Sequence, residues 1–497
     1  MSRDLIVGLD LGTTAVKALA VDPVGRVVTD ARADIELLQP APGRAVIDAD
    51  RYVDAALATL GVVAGQLDAR RVAGLALSGA MHSLVPVDAN DRPLTEALTW
   101  ADARGQAQTE HLRQRTDTRG LHRRTGCPLR WLYHAPRLRY FREQASDIDA
   151  RTARYVTLKD LVVHRLTGQW VADLGLMSTT GLVDLADRDF DDEALALADV
   201  GRDRLPRLCE PTAIIGPLTR EASSAARLLA DLPVVAGSSD GPLANLATLA
   251  GDQALAITVG TSAAVRVNCP TPTVDDGELT WCYLIAGDRY VRGGAINNAG
   301  LLARWVADRF YGDAPADARY ATMLREAGDV APGAAGVVML PYLTGERTPI
   351  WNPAARATIH GLTLTHTRAH IARAALEAVA FAVAELVDIL DVRERLAAGV
   401  PLSGGITRAP IWCRILADVL GAPLHVADVP DASAVGAAMV GHLALGHVDT
   451  LDVGARPRPA GSTVTPTAAH ATPYRDARER YISLKSQLHA PCQHPRR

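Results

Sequence analysis

A turn that could bind phosphate lies near the start of the chain. The apolar run that begins at Leu5 ends on Asp10, and Gly12, Thr13 and Thr14 follow before a second apolar run. Glycine lets the backbone approach a ligand closely, and threonine places hydroxyls beside amide N–H groups. Such amides bind anions, and a nearby carboxylate can hold a hydrated divalent cation shared with nucleotide phosphates. An ordinary β-hairpin turn explains the same residues, so the motif alone leaves both interpretations open.

The same pattern occurs again near the middle of the chain. Leu9 to Ala15 reads LDLGTTA, and Ile257 to Ala263 reads ITVGTSA, with Gly260 and Thr261 in the turn. Each copy predicts a strand, a turn of small residues and a second strand. A repeat near the midpoint favours a duplicated architecture with one phosphate loop in each half.

Length and composition limit the classes of protein to consider. The 497 residues exceed what one hydrophobic core usually serves, so two or three domains are expected. A formal net charge of −4 argues against a general nucleic-acid binder. The six cysteines show neither metal-ligand spacing nor a dense disulfide framework, and neither a secretory signal nor a long apolar span is visible. These features predict a soluble, cytoplasmic protein with reduced thiols, without nucleic-acid or membrane partners.

The elements that would position the two turns follow from periodicity and turn signals. A third strand is expected over 27–33, and Asp50 is expected to cap a helix that continues to about Leu67. Three strands before the first helix differ from the simple alternation of a dinucleotide-binding fold. Further predicted elements are a strand over 72–77, a strand over 233–237 that leads to the turn at Ser239-Asp240-Gly241, and a C-terminal amphipathic helix over 474–488.

Several stretches, taken in order, resemble the FGGY family of carbohydrate kinases. DLGTT at 10–14 is similar to its phosphate loop, and the run ATIHGLTLTHTRAHIARAALE at 357–377 is similar to its second signature. Gly404-Gly405 and the residues up to Asp418 resemble its adenosine-binding strand, turn and helix. The first signature is less well kept, because Arg137 and Tyr140 stand where the family usually has Lys and Trp. The resemblance covers nearly the whole chain.

This resemblance implies an α/β fold of two actin-like, or ribonuclease H-like, lobes with ATP and sugar in a cleft between them. An N-terminal lobe over 1–248 would carry the sugar-binding residues and the first phosphate loop. A C-terminal lobe over 249–497 would bind the nucleotide and end in the C-terminal helix. The implied cofactors are ATP and Mg²⁺, and the implied partner is a small sugar or sugar acid. A homodimer is compatible with the resemblance.

The resemblance also implies roles for individual residues. Asp240 matches the general base, which accepts the proton of the sugar hydroxyl as its oxygen attacks the γ-phosphorus. Asp10 would hold Mg²⁺ through water. Lys17 could add a positive charge, although its strand position is equally compatible with a solvated or paired lysine. The predicted contacts to ATP are Gly12, Thr13, Thr14, Lys17, Gly260, Thr261, Gly300, Gly404 and Gly405.

The sugar side is predicted around a Met-His pair and a Trp-x-Asp-x-Arg motif. Polyol recognition needs fixed donors and acceptors beside an apolar wall, because buried polar groups left unsatisfied reject the wrong sugar. The predicted sugar contacts are Met81, His82, Trp100, Asp102 and Arg104, together with Asp240.

The choice of substrate rests on fewer residues. Met-His-Ser at 81–83 is similar to the gluconate-kinase branch, and Arg104, Arg130 or Arg347 could bind a carboxylate. Residues 129–134 depart from the pattern of that branch. The sequence therefore favours phosphorylation of D-gluconate to 6-phosphogluconate. The alternatives are a ketopentose kinase such as xylulokinase and, in a different class, a noncatalytic nucleotide-gated sugar sensor.

Overall fold

The strands and helices are taken from a computed structural model that describes residues 3–248, 255–426, 431–451 and 462–489. The strands are β1 (Leu5–Leu11), β2 (Ala15–Val21), β3 (Val27–Asp34), β4 (Val46–Ile47), β5 (Val72–Gly79), β6 (Val85–Val87), β7 (Ala97–Leu98), β8 (Arg154–Val156), β9 (Val171–Asp173), β10 (Val183–Asp184), β11 (Asp189–Phe190), β12 (Arg207–Cys209), β13 (Ile214–Pro217), β14 (Pro233–Ser239), β15 (Leu255–Val259), β16 (Ala263–Cys269), β17 (Trp281–Ala286), β18 (Arg289–Ile296), β19 (Val338–Leu340), β20 (Thr358–His360), β21 (Val400–Ser403), β22 (Leu424–Val426) and β23 (Thr463–Val464).

The helices are α1 (Ala49–Gly65), α2 (Gln106–Arg113), α3 (Thr118–Thr125), α4 (His134–Gln144), α5 (Ser146–Arg151), α6 (Leu158–Thr167), α7 (Leu174–Met177), α8 (Asp192–Ala198), α9 (Arg220–Ala226), α10 (Asp240–Thr248), α11 (Gly300–Phe310), α12 (Arg319–Gly328), α13 (Arg368–Ile389), α14 (Pro410–Leu420), α15 (Ala432–Ala444) and α16 (Ala471–Leu488). Within the described ranges, no helix is both long and apolar enough to cross a membrane.

The described residues form two compact units. The first unit comprises 3–248, 268–292 and 431–451, and the second comprises 255–267, 293–426 and 462–489. The sequence-based boundary between 248 and 249 borders residues outside the described ranges, so it stays a prediction.

The first unit is organised around a mixed sheet of order β13-β14-β5-β1-β2-β3. β1 and β2 form the predicted antiparallel hairpin, while β5 runs parallel to both β1 and β14. α15 comes from late in the chain and packs on β1, β5 and α10. Because β1, β5 and β14 are parallel, their carboxyl ends meet at one edge of the sheet.

The second unit repeats this arrangement. Its strands follow the order β16-β15-β21-β22-β23, with β15 and β16 antiparallel and β21 parallel to β15. The predicted echo of one hairpin in each half of the chain is therefore confirmed at the level of strand pairing. α13 is the central helix of this unit, and it is buried along most of its length. Its mostly apolar sequence matches that position, because a helix that is hydrophobic all round belongs in a core.

Element boundaries differ from the sequence-based expectations in specific places. The N-cap of α1 is Asp48 and not Asp50, because the Asp48 carboxylate accepts the backbone N–H of Arg51 at 3.0 Å. Asp50 lies in the first turn, where its negative charge interacts favourably with the positive end of the helix dipole. Asp240 begins α10 directly after β14, so the predicted turn is a strand-to-helix junction. The C-terminal helix begins at Ala471, slightly earlier than expected.

Candidate active site

The carboxyl edge of the first sheet brings together residues that are far apart in sequence. Gly79 at the end of β5 pairs with Leu11 on one side and with Ser239 on the other. Asp10 and Asp240 therefore lie at the ends of two strands that flank the same central strand. Ligands of open α/β sheets commonly bind outside the carboxyl ends of the strands. The geometry thus gathers the predicted base and the predicted metal-binding carboxylate at one edge.

Asp10 is a buried carboxyl group whose pKa is raised. Its side chain accepts a hydrogen bond from Ser78 Oγ at 2.7 Å, and the residue is 8% exposed. Burial, followed by the charge of Asp240, raises the pKa of Asp10 to about 7. Carboxyl groups with strongly shifted pKa values cluster at functional sites. Burial and a neighbouring like charge disfavour the ionised form until a ligand or cation compensates the charge.

Tyr52 of α1 borders the same carboxyl pair. Its hydroxyl donates to the carbonyl oxygen of Gly12 at 3.1 Å, which ties α1 to the turn between β1 and β2. Burial and the nearby charges of Asp10 and Asp240 raise its pKa well above the usual range. Tyr52 is therefore a neutral hydrogen-bond donor that helps to hold the turn.

The backbone before Asp240 is fixed by a buried ion pair. Lys159 Nζ donates to Asp173 Oδ2 at 2.5 Å and to the carbonyl oxygen of Ser238 at 3.1 Å. Asp240 itself is partly exposed, and its Oδ1 accepts the backbone N–H of Gly241 at 2.8 Å. A general base needs a defined position and must not be fully buried, and Asp240 meets both conditions. Its role as the base stays a prediction.

The carboxyl pair fits a hydrated divalent cation better than a fully protein-built metal site. Among the described residues, no group of three or more His, Cys, Asp or Glu side chains is arranged to hold a metal. Mg²⁺ usually keeps several waters and binds one or two carboxylates plus substrate phosphates. A cation beside Asp10 would offset the repulsion from Asp240, and the role of Asp10 as a metal ligand stays a prediction.

The turn that is predicted to bind phosphate in the first unit joins β1 to β2. Thr13 is partly exposed and Thr14 is exposed. Their contacts with phosphate stay predictions. Lys17 points along β2 to Asp431, with Nζ 2.5 Å from Oδ1. Lys17 is thus a paired lysine, one of the possibilities that the sequence left open, and its contact with ATP stays a prediction.

The second turn is packed against the start of α11. The N–H of Gly300 donates to the carbonyl oxygen of Gly260 at 2.8 Å, and the N–H of Ala299 donates to that of Thr261 at 3.1 Å. A Cβ on Gly300 would lie only 2.5 Å from the Gly260 oxygen, so glycine is required there. Thr261 is exposed.

The Gly404-Gly405 turn follows β21. Gly404 has φ 93°, and an added Cβ there would lie 2.5 Å from the carbonyl oxygen of Val259. Both glycines are exposed, which leaves the turn open to a ligand. Their contact with the nucleotide stays a prediction.

His82 is the most constrained residue of the predicted sugar site. It is 5% exposed and has φ 65°, a left-handed conformation that is uncommon outside glycine. Its ring meets Tyr133 edge to face at 5.2 Å and Tyr283 at 6.3 Å, and the two tyrosine hydroxyls lie 3.0 Å apart. Tyr133 belongs to the segment that departs from the gluconate-kinase pattern, so this segment contacts His82 directly. Met81 and Trp100 are partly exposed.

Asp102 holds Arg104 in place. Asp102 is fully buried, and its carboxylate accepts Arg104 Nε at 2.9 Å, Arg104 Nη2 at 3.0 Å and the N–H of Ala45 at 3.0 Å. The Arg104 side chain is 15% exposed and lies over the ring of Tyr140. The geometry gives Asp102 an orienting role, and its direct contact with sugar stays a prediction.

Arg137 joins the two predicted sugar-binding loops, the one at His82 and the one at Asp102. This fully buried guanidinium donates to the carbonyl oxygens of His82 at 2.5 Å, Thr99 at 2.6 Å, Asp102 at 2.9 Å and Trp131 at 3.2 Å. Burial lowers the pKa of Arg137 to about 10, so the group is still cationic at neutral pH. Arg137 therefore fixes the position of His82 relative to that of Asp102.

We expect Arg137→Met to lower the free energy of unfolding by about 3–5 kcal/mol, because four buried carbonyl oxygens lose a charged donor. Arg137→Lys should cost clearly less, since lysine keeps the charge and three donors. Urea denaturation of the two variants beside the parent protein measures the difference. Equal stability of the Met and Lys variants would contradict the role of Arg137.

Arg130 does not lie free for a substrate carboxylate. Its guanidinium donates to the carbonyl oxygens of Leu129 at 3.1 Å and Glu278 at 3.2 Å, in a cluster where Arg113 pairs with the Glu278 carboxylate at 2.9 Å. Burial and the neighbouring Arg113 lower the pKa of Arg130 to about 10. Arg104 and Arg130 thus both have partners within the protein, and the binding of a substrate carboxylate by either stays a prediction.

Comparison with known proteins decides the family. The model of the FGGY family of carbohydrate kinases matches residues 5–247 with its N-terminal domain and residues 255–445 with its C-terminal domain. This chain belongs to the FGGY family. It is an ATP-dependent carbohydrate kinase, and its two actin-like, ribonuclease H-like lobes confirm the predicted α/β fold class.

Relatives within the FGGY family include kinases for different sugars. The chain is 30% identical to a gluconokinase of Bacillus subtilis, over 96% of this chain and 94% of the relative. It is 28% identical to a xylulose kinase of Escherichia coli, over 97% and 99%. The crystal structure of a gluconate kinase from Lactobacillus acidophilus superposes with a TM-score of 0.91 at 26% identity and covers 98% of both chains.

Several residues of the FGGY site could not be recognised from their sequence context. Ser78, Tyr52 and Lys159 support the carboxyl edge, and Arg137 supports the sugar loops. The available signals were a serine at the end of an apolar strand and, for Arg137, a basic residue at the Lys position of the first family signature. Neither signal identifies the partner, because each partner lies far away in sequence.

Proposed function

We propose that this kinase transfers the γ-phosphoryl group of ATP to D-gluconate, giving 6-phosphogluconate. The observation that carries the choice of a sugar acid is Arg104, a partly exposed guanidinium whose direction is fixed by Asp102. Arg137 holds the carbonyl oxygens of both His82 and Asp102, so Arg104 belongs to the same rigid assembly as His82. A guanidinium suits a carboxylate through planar paired hydrogen bonds. The extent of similarity to gluconokinases supports the same choice.

In the proposed reaction, a sugar hydroxyl oxygen forms a bond to the γ-phosphorus, the bond from that phosphorus to the bridging oxygen breaks, and ADP leaves. Asp240 takes the hydroxyl proton. The amides and hydroxyls of Thr13 and Thr261 bind phosphate oxygens, since phosphoryl transfer depends on positioning and charge neutralisation more than on covalent help from the protein. Asp10 would hold a hydrated Mg²⁺, which would supply positive charge to neutralise the phosphates.

A ketopentose kinase such as xylulokinase is the rival within the class. Xylulose kinases match the chain over nearly its full length, and Tyr133 adds an aromatic ring beside His82 in the segment that departs from the gluconate-kinase pattern. We place the enzyme in the cytoplasm, where ATP is available and thiols stay reduced.

We expect the protein to release ADP fastest with gluconate when gluconate and xylulose are compared at equal concentration. Arg104→Met should lower the ratio of kcat/KM for gluconate to kcat/KM for xylulose by about 10- to 100-fold, the value of a charged hydrogen bond. Both values should also fall together, because buried Asp102 loses its charge partner. Arg104→Lys should keep part of the preference because it keeps the charge. A coupled assay of ADP release across a panel of sugars and sugar acids measures these values.

Arg139→Met on α4 is a matched control, because Arg139 pairs with Glu143 and Asp199 away from the sugar loops. It should behave like the parent protein. A preference for xylulose over gluconate would overturn the gluconate proposal and leave the kinase activity intact. Sugar-dependent nucleotide binding without ADP release from any acceptor would favour the noncatalytic sensor.

A further inference from the structure

A buried carboxyl group organises the loop that precedes α11 in the second unit. Glu346 is 1% exposed, and its Oε1 accepts two backbone N–H groups, from Asn297 at 2.5 Å and from Arg347 at 2.8 Å. Its Oε2 accepts Asn298 Nδ2 at 3.2 Å. One carboxylate therefore holds two chain segments that are about fifty residues apart in sequence.

The Arg347 side chain adds a second connection between the same two segments. Its Nε donates to Asn297 Oδ1 at 2.7 Å, and its Nη2 lies 3.4 Å from the carbonyl oxygen of Ile296. The residue is partly exposed, in contrast to the buried Glu346. Arg347 is thus fixed through its backbone by Glu346 and through its side chain by Asn297, so little rotamer entropy remains to be lost when it binds an anion.

The same loop is joined to the second phosphate-binding turn. Asn297 is followed by Asn298 and Ala299, and the N–H of Ala299 donates to the carbonyl oxygen of Thr261. Two residues span at most about 7 Å of extended chain. The Thr344 hydroxyl and N–H both donate to Asn298 Oδ1, which joins the segment before Arg347 to the segment before α11. Arg347 therefore belongs to a hydrogen-bonded loop network that continues to the Gly260-Thr261 turn.

We propose that Arg347 is a catalytic residue that binds phosphate oxygens of the nucleotide at the Gly260-Thr261 turn, and that Glu346 is the positioning residue that holds it there. This inference rests on the ATP-dependent kinase activity and on the proposed phosphate-binding role of Gly260 and Thr261. Arg347 forms no covalent bond in the reaction. It places a preorganised positive charge where negative charge must be stabilised during phosphoryl transfer.

The alternative anion for Arg347 is the carboxylate of a sugar acid. The ties to Thr261 and to the start of α11 favour the nucleotide, since those residues belong to the predicted phosphate-binding turn. The two anions make different kinetic predictions, because phosphate binding affects every acceptor equally and carboxylate binding affects only sugar acids.

We expect Arg347→Met to lower kcat by about 10²–10³-fold, the scale for removing one preorganised donor at an active site. ADP should bind more weakly, and KM for the sugar should change little whichever acceptor the enzyme prefers. Arg347→Lys should recover part of kcat because it keeps the charge without the planar fork. Added guanidinium ion, well below concentrations that unfold the protein, should partly restore turnover to Arg347→Ala.

The positioning role of Glu346 has a separate test. In Glu346→Gln the side-chain oxygen can still accept both backbone N–H groups, but the new amide faces Asn298 Nδ2, so donor opposes donor. We expect a fall in kcat of about 10-fold and almost no further fall when Glu346→Gln is added to Arg347→Met, because residues that act through one another are not additive. Additive losses in the double variant would overturn the positioning role.

Arg325→Met on α12 is the matched control in the same unit, because Arg325 is mostly exposed and lies 3.7 Å from Glu326. It should keep the kinetics of the parent protein. Unchanged kcat in a folded Arg347→Met variant would overturn the proposal, as would a rise in KM confined to sugar acids with ADP affinity unchanged. Failure of gluconate as a substrate would not affect this test, which can use any accepted sugar.

Discussion

Asp240→Asn is expected to lower kcat by about 10²–10⁴-fold, the typical contribution of general acid–base catalysis. Asparagine keeps the shape of the side chain and the oxygen that accepts the N–H of Gly241, but it cannot take a proton from the sugar hydroxyl. The junction of β14 and α10 should stay intact, because Lys159 fixes the carbonyl oxygen of Ser238 independently of Asp240. The loss should therefore be a loss of turnover and not of folding.

Steady-state ADP release and calorimetric titration with a nonhydrolysable ATP analogue separate these two effects. The variant should bind the nucleotide almost as tightly as the parent protein. Asp192→Asn, at an exposed carboxylate of α8 paired with Arg202, is a control that should turn over normally. Full activity of Asp240→Asn would remove Asp240 from the base role, whereas a loss of nucleotide affinity equal to the loss of kcat would indicate a role in binding.

Asp10→Asn is expected to have opposite effects on activity and on stability. Without the carboxylate that we propose holds Mg²⁺, kcat should fall by about 10²–10³-fold, by analogy with the removal of one preorganised electrostatic group. Without ligands, however, the variant should be more stable than the parent protein at pH 8. Active-site residues often lower the stability of the ligand-free protein, because function requires buried charges that destabilise the fold.

The sign of the stability effect follows from the raised pKa. In the folded protein the pKa of Asp10 is about 7, against 3.8 for an unperturbed aspartate, so the folded state binds the proton more tightly than the unfolded chain does. The resulting stabilisation is fully present below about pH 4 and is lost as the pH rises through about 7. Asn cannot ionise and escapes this loss, which accumulates between about pH 4 and pH 7, so its advantage should be larger at pH 8 than at pH 5.

Thermal denaturation of both proteins at pH 5 and pH 8, without nucleotide or metal, measures this difference. Asp160 and Glu346 also have pKa values raised to about 7 by burial, but they are present in both proteins and cancel in the comparison. Addition of Mg²⁺ and ADP should stabilise the parent protein more than the variant, since only the parent binds both well. An advantage of the variant that is equal at the two pH values would contradict the account of Asp10.

The sequence alone determined those features that depend on neighbouring residues. The hairpin around Gly12 and its counterpart around Gly260 follow from apolar runs interrupted by small residues, and the structure confirms both pairings. The order of family motifs predicted the FGGY family and the two actin-like lobes. Helix limits were less accurate, as at α1, because Asp48 and Asp50 are both good capping residues and only the backbone geometry selects one.

The tertiary structure decided what depends on distant partners. The proximity of Asp10 to Asp240 requires β1, β5 and β14 to pair in one register, and no local pattern contains that register. The same holds for Arg137, whose bonds run to carbonyl oxygens that every residue possesses and no sequence motif can reveal. Side-chain type shows what chemistry a residue can do, while burial and long-range pairing decide its charge, its direction and its partners.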